Sequence, residues 1–371
     1  MKVAIFGGSF DPVHKEHINI AVSAVKELGL DKLFIMPTFS APHKTQKATS
    51  SVERLNMLKL AFKDKEKIEV SDYEINNGGK SYSYITAEHF AGLYEKVYMI
   101  VGGDMLVDFK TWKYPQRILN AVHLAVFDRD DFTVDYQKER EFFLNNYGKD
   151  FYKLSYQGKN QSATKIRVYS SLGLDISSMT DKSVAEYIEK TGLYAGGEIE
   201  NAVKNALPIK RLTHTANVVV TALKKAKELN LDFNKVKTAA LLHDIAKYED
   251  YKLYPNFNLP NGVPEPVVHA FLGAYLAKER FNVDEEIEDA IRYHTSGKAN
   301  MSTLGKLIFV ADMIEEGRDY DGVETLRKLY EKDLDACFKA CLEEEMLHLT
   351  NKKTQIYEET VNAYNYYVNC K

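Results

Sequence analysis

Apolar positions along this chain follow two different rhythms. In the first half, short apolar runs alternate with amphipathic stretches. Val3–Phe6, Lys32–Pro37, Lys96–Gly103 and His123–Phe127 read as buried strands. Between them, His17–Leu28, Val52–Phe62 and Tyr84–Leu93 space their apolar residues as a helix with one buried face does. Strand–helix–strand alternation at this spacing predicts a parallel sheet with helices on both faces, an α/β domain of Rossmann-like type. From about Glu198 the strand pattern stops. Leu212–Leu229, Asn234–Ile245, Val267–Arg280, Asp284–His294, Leu304–Glu315 and Val323–Leu349 read as successive helices of an all-α bundle. The stretch Leu193-Tyr-Ala-Gly-Gly-Glu198 lies at the change of period, so the expected domains are 1–195 and 196–371.

At 371 residues the chain is too long for one ordinary core, which agrees with two domains. Its net charge of -4 gives no basic field for a nucleic-acid backbone, so no nucleic-acid partner is expected. Small phosphorylated ligands stay open, because a helix N-terminus and a few cations suffice for them. Cys337, Cys341 and Cys370 form no CxxC pair; a reducing compartment is expected, with Cys337 and Cys341 as packing residues. No apolar run approaches the ~18–20 residues of a membrane span, and the start has no apolar signal segment before its glycines. The expectation is a cytoplasmic protein without a membrane partner, its assembly into a homo-oligomer left open.

The first strand runs directly into Gly7-Gly8-Ser9-Phe10-Asp11-Pro12-Val13-His14-Lys15-Glu16-His17. Glycines allow a sharp turn and a close approach to a ligand. The helix that follows turns its free N–H groups and positive end toward that turn, a setting for phosphate. His14 and His17, three residues apart, share one face of its first turn. Two imidazoles there can donate hydrogen bonds to oxygens that gain charge as pyrophosphate leaves. Arg167 and Lys44 are residue types that neutralise phosphates, Ser162 and Thr164 offer hydroxyls at a helix start, and the Trp112 face can stack on a ring.

These residues, in this order, resemble the bacterial nicotinate-nucleotide adenylyltransferases, nucleotidyltransferases with an HxGH signature. Pro42-His43-Lys44 resembles the family's basic loop, Ser81–Thr86 its SYTxxT element and Gly102-Gly103-Asp104 its GxD. Ser162–Arg167 is similar to the second signature, SSTxIR, which holds the triphosphate. The resemblance covers about residues 1–194. It implies transfer of an adenylyl group from ATP, carried with Mg²⁺, to nicotinate mononucleotide. The implied catalytic residues are His14, His17, Lys44 and Arg167. The ATP contacts would be Gly7, Gly8, Ser9, Phe10, His17, Ser162, Thr164, Ile166 and Arg167, and the mononucleotide contacts Lys44, Thr86, Asp104 and Trp112. Three positions depart from the family pattern. Glu16 replaces the HxGH glycine and brings a negative charge near the phosphates, Ala163 replaces a serine, and Lys113 follows Trp112 where an aromatic is common.

The helical half carries His214, His243, Asp244, His269, His294 and Asp312, separated by 29, 1, 25, 25 and 18 residues and so placed on different helices. A bundle can gather such ligands into its core. Imidazole with carboxylate suits iron, manganese or zinc better than calcium, and six ligands exceed the need of one ion with an open position. A shared carboxylate, Asp244, can bridge two ions that clamp a phosphoryl group. The pattern H…HD…H…H…D resembles the HD superfamily. Glu265–Ala270, Ile291–Thr295, Gly297…Met301 and Ala311–Asp319 resemble bacterial HD hydrolases that split diadenosine tetraphosphate into two ADP. That resemblance, over about 198–369, implies one metal, iron or else manganese, on His214, His243, Asp244 and Asp312. A second would lie on Asp244, His269 and His294, with Asp244 catalytic and Lys247, Thr295 and Arg318 touching phosphate. The rival readings are a mononucleotide phosphatase and a nucleotide-sensing regulatory domain.

Overall fold

The computed structural model describes residues 1–39, 49–130, 132–159 and 161–369. Two compact units result. One comprises Met1–Ile166 with Ile176–Leu193, the other Arg167–Asp175 with Tyr194–Lys371.

The first unit is built on a six-stranded parallel sheet: β1 Lys2–Gly8, β2 Lys32–Pro37, β3 Ile68–Val70, β4 Lys96–Gly102, β5 His123–Arg129 and β6 Tyr152–Gly158. The spatial order is β3-β2-β1-β4-β5-β6. β1 pairs with both β2 and β4, so the strand order reverses beside it. In open α/β sheets that reversal opens a crevice at the carboxyl ends of the strands. Gly7–Gly8 and Gly102 lie at those ends.

The central strands are apolar on both faces because helices cover both faces. Val3, Ile5, Val97, Met99, Leu124 and Val126 pack on one side with Phe90, Phe109 and Phe143. The helices Lys15–Glu27, Ser51–Phe62 and Ser83–Leu93 lie where their apolar spacing predicts. β3 and β6 are additions that the apolar pattern missed. β3 has three residues, and β6 is an edge strand in which only Leu154 and Gly158 are buried.

The second unit is helical. Its core cluster joins residues from Ile209–Ala226, Phe233–Leu242, Glu265–Phe281, Glu285–Arg292 and Thr303–Ile314. The single helix expected over Val323–Leu349 is two, Val323–Lys332 and Leu334–Asn351. Asp333 leaves the helical region at φ -154 and caps the second helix, accepting the Ala336 N–H at 3.0 Å. Cys337 and Cys341 are fully buried in this core, their sulfurs 4.0 Å apart; Cys370 lies outside the described residues. Among the described residues no helix is long and apolar enough to cross a membrane.

The helix Ala163–Ser171 and its turn supply Val168, Leu172 and Leu174 to the core of the helical unit. Leu172 is fully buried there. Gly196 lets the next turn close on this segment, since a Cβ at that position would lie 2.3 Å from the Ser171 carbonyl oxygen.

Candidate functional site

In the α/β unit the helix Lys15–Glu27 begins just past the end of β1, with His14 as its cap in extended backbone. His14 Nδ1 accepts the His17 backbone N–H at 3.4 Å, and His17 Nδ1 accepts the His14 N–H at 3.2 Å. This reciprocal exchange is a capping box made of two imidazoles. The rings stack at 3.6 Å between centroids. A nitrogen that accepts a hydrogen bond carries no proton, so each neutral ring holds its proton on Nε2. The cap therefore fixes both tautomers and presents two Nε2–H donors. Burial, then the Arg129 charge, pushes His14 down to about 3. At neutral pH it is a neutral donor.

Phe10 is 2% exposed at φ +47, its ring set edge-on to Phe6 and His17, so its side chain props His17 and only its backbone can meet a ligand. A Cβ on Gly8 would lie 3.0 Å from the Phe10 ring, which is why that turn takes glycine. Arg54, 2% exposed, ties the loop from below. It donates to the carbonyls of Ser9 at 2.8 Å, Thr38 at 2.7 Å and Thr49 at 3.0 Å. Sequence reasoning missed it; the available signal was an arginine on the same helix face as Met57, Leu58 and Ala61.

Ser162 Oγ accepts the Lys165 N–H at 3.1 Å at the head of the Ala163–Ser171 helix. Thr164 and Arg167 follow on one face of that helix, whereas the Ile166 side chain is fully buried and leaves only its backbone for a ligand. Thr86 is 3% exposed and donates its hydroxyl to Glu74 at 2.7 Å. Asp104 folds its carboxylate back over Gly102, where a Cβ would meet Oδ1 at 2.5 Å. Trp112 is half-buried, 5.1 Å from Phe109, and beside it Lys113 covers the Tyr82 ring at 4.3 Å. Lys44 lies outside the described residues.

The helical unit brings all six expected metal-type residues together, and Asp244 lies at their centre, 1% exposed. Its Oδ2 is 3.3 Å from His243 Nε2 and 3.8 Å from His214 Nε2. Its Oδ1 is 3.3 Å from His269 Nε2 and 3.8 Å from His294 Nε2. Asp312 Oδ1 lies 3.0 Å from His214 Nε2. One carboxylate thus faces two pairs of imidazoles with its two oxygens.

The outer nitrogens are each held. His243 Nδ1 meets the Ala240 carbonyl and His294 Nδ1 the Ile291 carbonyl, both at 2.7 Å, while His214 Nδ1 meets Glu315 Oε1 at 3.0 Å. A carbonyl can only accept, so Nδ1 of His243 and of His294 carries the proton and Nε2 offers a lone pair inward, as metal-ligating histidines are oriented. His214 Nε2, His243 Nε2 and Asp244 Oδ1 are buried without a hydrogen-bond partner. Orphaned acceptor atoms converging in a core fit metal ions. Burial works against the charge on Asp244, yet His243, His269 and His294 hold its carboxyl well below the usual range. Burial pushes His269 down to about 4, so its ring is neutral at pH 7.

Cations surround the centre. Arg211 donates to Asp244 Oδ2 at 2.9 Å, Arg318 donates to Asp312, and Lys247 Nζ stands 3.1 Å from His269 Nε2. Thr295 Oγ1 lies 3.1 Å from His294 Nε2. A cavity of about 390 Å³ opens here, lined by His294, Thr295, Asp312 and Arg318, with Tyr320 and Glu345 farther out. Arg211 and Glu315 had not been read from the sequence. Each lies three residues from one of the six clustered residues on the same helix face, Arg211 before His214 and Glu315 after Asp312.

Residues 5–168 match the cytidylyltransferase-like family and residues 211–317 the HD domain. A Clostridium tetani protein named "Probable nicotinate-nucleotide adenylyltransferase" is 37% identical over 199 residues, 52% of this chain and 98% of the relative. A Mycoplasma genitalium protein named "Probable nicotinate-nucleotide adenylyltransferase/Ap4A hydrolase" is 27% identical over 325 residues, 85% of this chain and 88% of the relative. A Clostridium acetobutylicum structure titled an HD superfamily hydrolase involved in NAD metabolism is 31% identical, covers 47% of this chain and 97% of its own, and superposes with a TM-score of 0.44. Through its first half the chain belongs to the nicotinate-nucleotide adenylyltransferase family, and its second half contains an HD domain over residues 211–317.

Proposed function

We propose that the chain is a bifunctional enzyme. The first half joins ATP, carried with Mg²⁺, to nicotinate mononucleotide, releasing pyrophosphate and nicotinate adenine dinucleotide. The second half hydrolyses diadenosine tetraphosphate to two ADP. The observation that carries the first reading is the imidazole capping box, because it fixes two neutral rings with their protons on Nε2 at the N-terminus of the helix that follows the glycine turn of β1. In-line attack on the α-phosphorus needs little covalent help; charge stabilisation by positioned donors supplies most of what the protein adds. His14, His17 and Arg167 take that role, with Lys44 as a further cation.

The second reading is carried by the division of Asp244 between two imidazole pairs. His214, His243, Asp244 and Asp312 would hold one ion and Asp244, His269 and His294 the other, iron with manganese as the alternative. Bound there, such a pair supplies Lewis acidity and an acidified water. Arg211, Lys247 and Arg318 are placed to bind phosphate oxygens as point or forked charges. Thr295 can orient an oxygen beside His294. The reaction is intracellular chemistry on small nucleotides, and a cytoplasmic location is part of the proposal.

The test is product chromatography on the full chain. Nicotinate mononucleotide with Mg·ATP is expected to give the dinucleotide, and nicotinamide mononucleotide to give much less. With iron or manganese, diadenosine tetraphosphate is expected to give ADP alone. ATP plus AMP, or phosphate released from AMP instead, would overturn the second reading.

We also place the functional boundary at residues 195/196. A fragment 196–371 lacks Val168, Leu172 and Leu174, which complete its unit's core. It is expected to melt lower than a fragment beginning at Ala163, and Leu172→Ala in the full chain to cost the helical unit about 2–5 kcal/mol. Equal melting temperatures for the two fragments would mean that this segment adds nothing to the core.

A further inference from the structure

Glu16 stands between His14 and His17, where the resembling signature has glycine. Its side chain is not the solvated first-turn glutamate that a helix dipole ordinarily recruits. The residue is 6% exposed. Its Oε2 accepts the Tyr156 hydroxyl at 2.8 Å and the Lys159 backbone N–H at 2.9 Å, and its Oε1 accepts the Asn19 side-chain amide at 3.0 Å. The Glu16 backbone N–H donates to Gln161 Oε1 at 3.3 Å. Three tie points therefore fall within residues 156–161, the end of β6 and the approach to the Ala163–Ser171 helix. The approach is close: a Cβ on Gly158 would lie 3.8 Å from Glu16 Oε2 and 3.3 Å from the Asp128 carbonyl oxygen.

We infer that Glu16 is a positioning residue for ATP. It fastens the end of β6 to the helix turn that carries His14 and His17, and thereby sets where Ser162 and Thr164 stand relative to the two imidazoles. The inference rests on the reading that this half binds ATP. A glycine at 16 keeps the backbone tie to Gln161 but loses both side-chain ties to β6. The segment would then be ordered only when the nucleotide arrives, and that ordering cost lowers affinity. The rival effect is repulsion between the carboxylate and the phosphates, whose relief would raise affinity. The two effects have opposite signs, and the three donors already spent on the carboxylate favour the first.

The experiment measures Mg·ATP affinity of the full chain by calorimetry, alongside initial rates with each substrate varied. Glu16→Gly is expected to weaken ATP binding about tenfold, the size of losing one to two net hydrogen bonds, and to leave the mononucleotide KM within about twofold and kcat within about threefold. Glu16→Gln keeps an oxygen for the Lys159 N–H and is expected to recover most of the affinity. Tyr156→Phe removes one tie only; about a threefold loss is expected, and it should add little to Glu16→Gly in the double variant. Unchanged or tighter ATP binding in Glu16→Gly overturns the inference, as does full additivity with Tyr156→Phe. Should Glu16→Gly fail to fold, unchanged affinity in Tyr156→Phe overturns it alone. A wild-type chain that binds Mg·ATP but forms no dinucleotide counts against the proposed reaction and leaves Glu16 to be judged on affinity. A wild-type chain that binds no ATP sinks both.

Discussion

Asp244→Ala is expected to abolish hydrolysis of diadenosine tetraphosphate and to leave at most one of the two proposed metal ions bound. The reason is electrostatic. Four imidazoles converge on this one carboxylate, and neutral imidazoles contribute lone pairs but no charge. Two divalent ions held about 3.5–4 Å apart repel each other strongly, and a bridging anion offsets much of that repulsion. With alanine the remaining carboxylate among the six proposed ligands is Asp312, which lies on the His214 side, as does Glu315 behind it. The side facing His269 and His294 then has no anion and should empty. Elemental analysis and nucleotide chromatography on one preparation give both readouts. Two retained metals, or hydrolysis near the wild-type rate, would remove Asp244 from the centre of the mechanism. Adenylyl transfer by the same variant should be unchanged, because no residue proposed for that reaction lies in the HD site.

The second large effect is expected at His17 and Arg167. Alanine at either position should lower adenylyl transfer at least about a hundredfold, the loss that follows removal of one positioned donor at developing charge. His17 has two functions that the experiment must separate. Its Nδ1 caps the helix by accepting the His14 N–H, which leaves the proton of the neutral ring on Nε2. Losing the cap lowers stability by about 1 kcal/mol, a few degrees in melting temperature. Losing the donor lowers kcat at saturating ATP and leaves melting alone. Turnover near wild type in His17→Ala at saturating ATP would confine this residue to the cap. Arg167→Ala has no cap to lose and serves as the cleaner arm.

The central strands were legible because burial on both faces makes them continuous apolar runs, as in Val3–Phe6 and Lys32–Pro37. β6 was not, since Tyr152, Lys153 and Ser155 are exposed on an edge and break the apolar run. Most helix starts were read late by one to three residues in the same way; Asp284 lies one residue before its helix and Val323 is the observed start. The pattern of apolar spacing begins only after the cap and first turn, as at His14–Glu16. The break at Asp333 was invisible because no glycine or proline marks it, and a lone aspartate reads equally well as solvated surface. In the proposed metal centre the six histidines and aspartates could be read because those residues at those spacings have little other purpose in apolar helices. Glu315, Arg211 and Arg54 could not. A glutamate or arginine on a helix is ordinarily in water, and only the fold reveals that these three face inward onto a histidine, an aspartate and four carbonyls.

The paired-imidazole cap also makes acid a structural reagent for the α/β unit. A proton arriving on either Nδ1 would turn an acceptor into a donor facing a backbone N–H, and the helix would lose its fastening at that end. His14 resists protonation in the folded chain, at about 3, whereas an unfolded chain takes up its proton near 6.5. Below 6.5 the unfolded state therefore binds the proton that the folded state refuses. The stability this residue confers is complete above 6.5 and drains away as the pH falls from there toward 3. Mild acid would erode the scaffold of the nucleotide turn before the His14 ring became a cation within it.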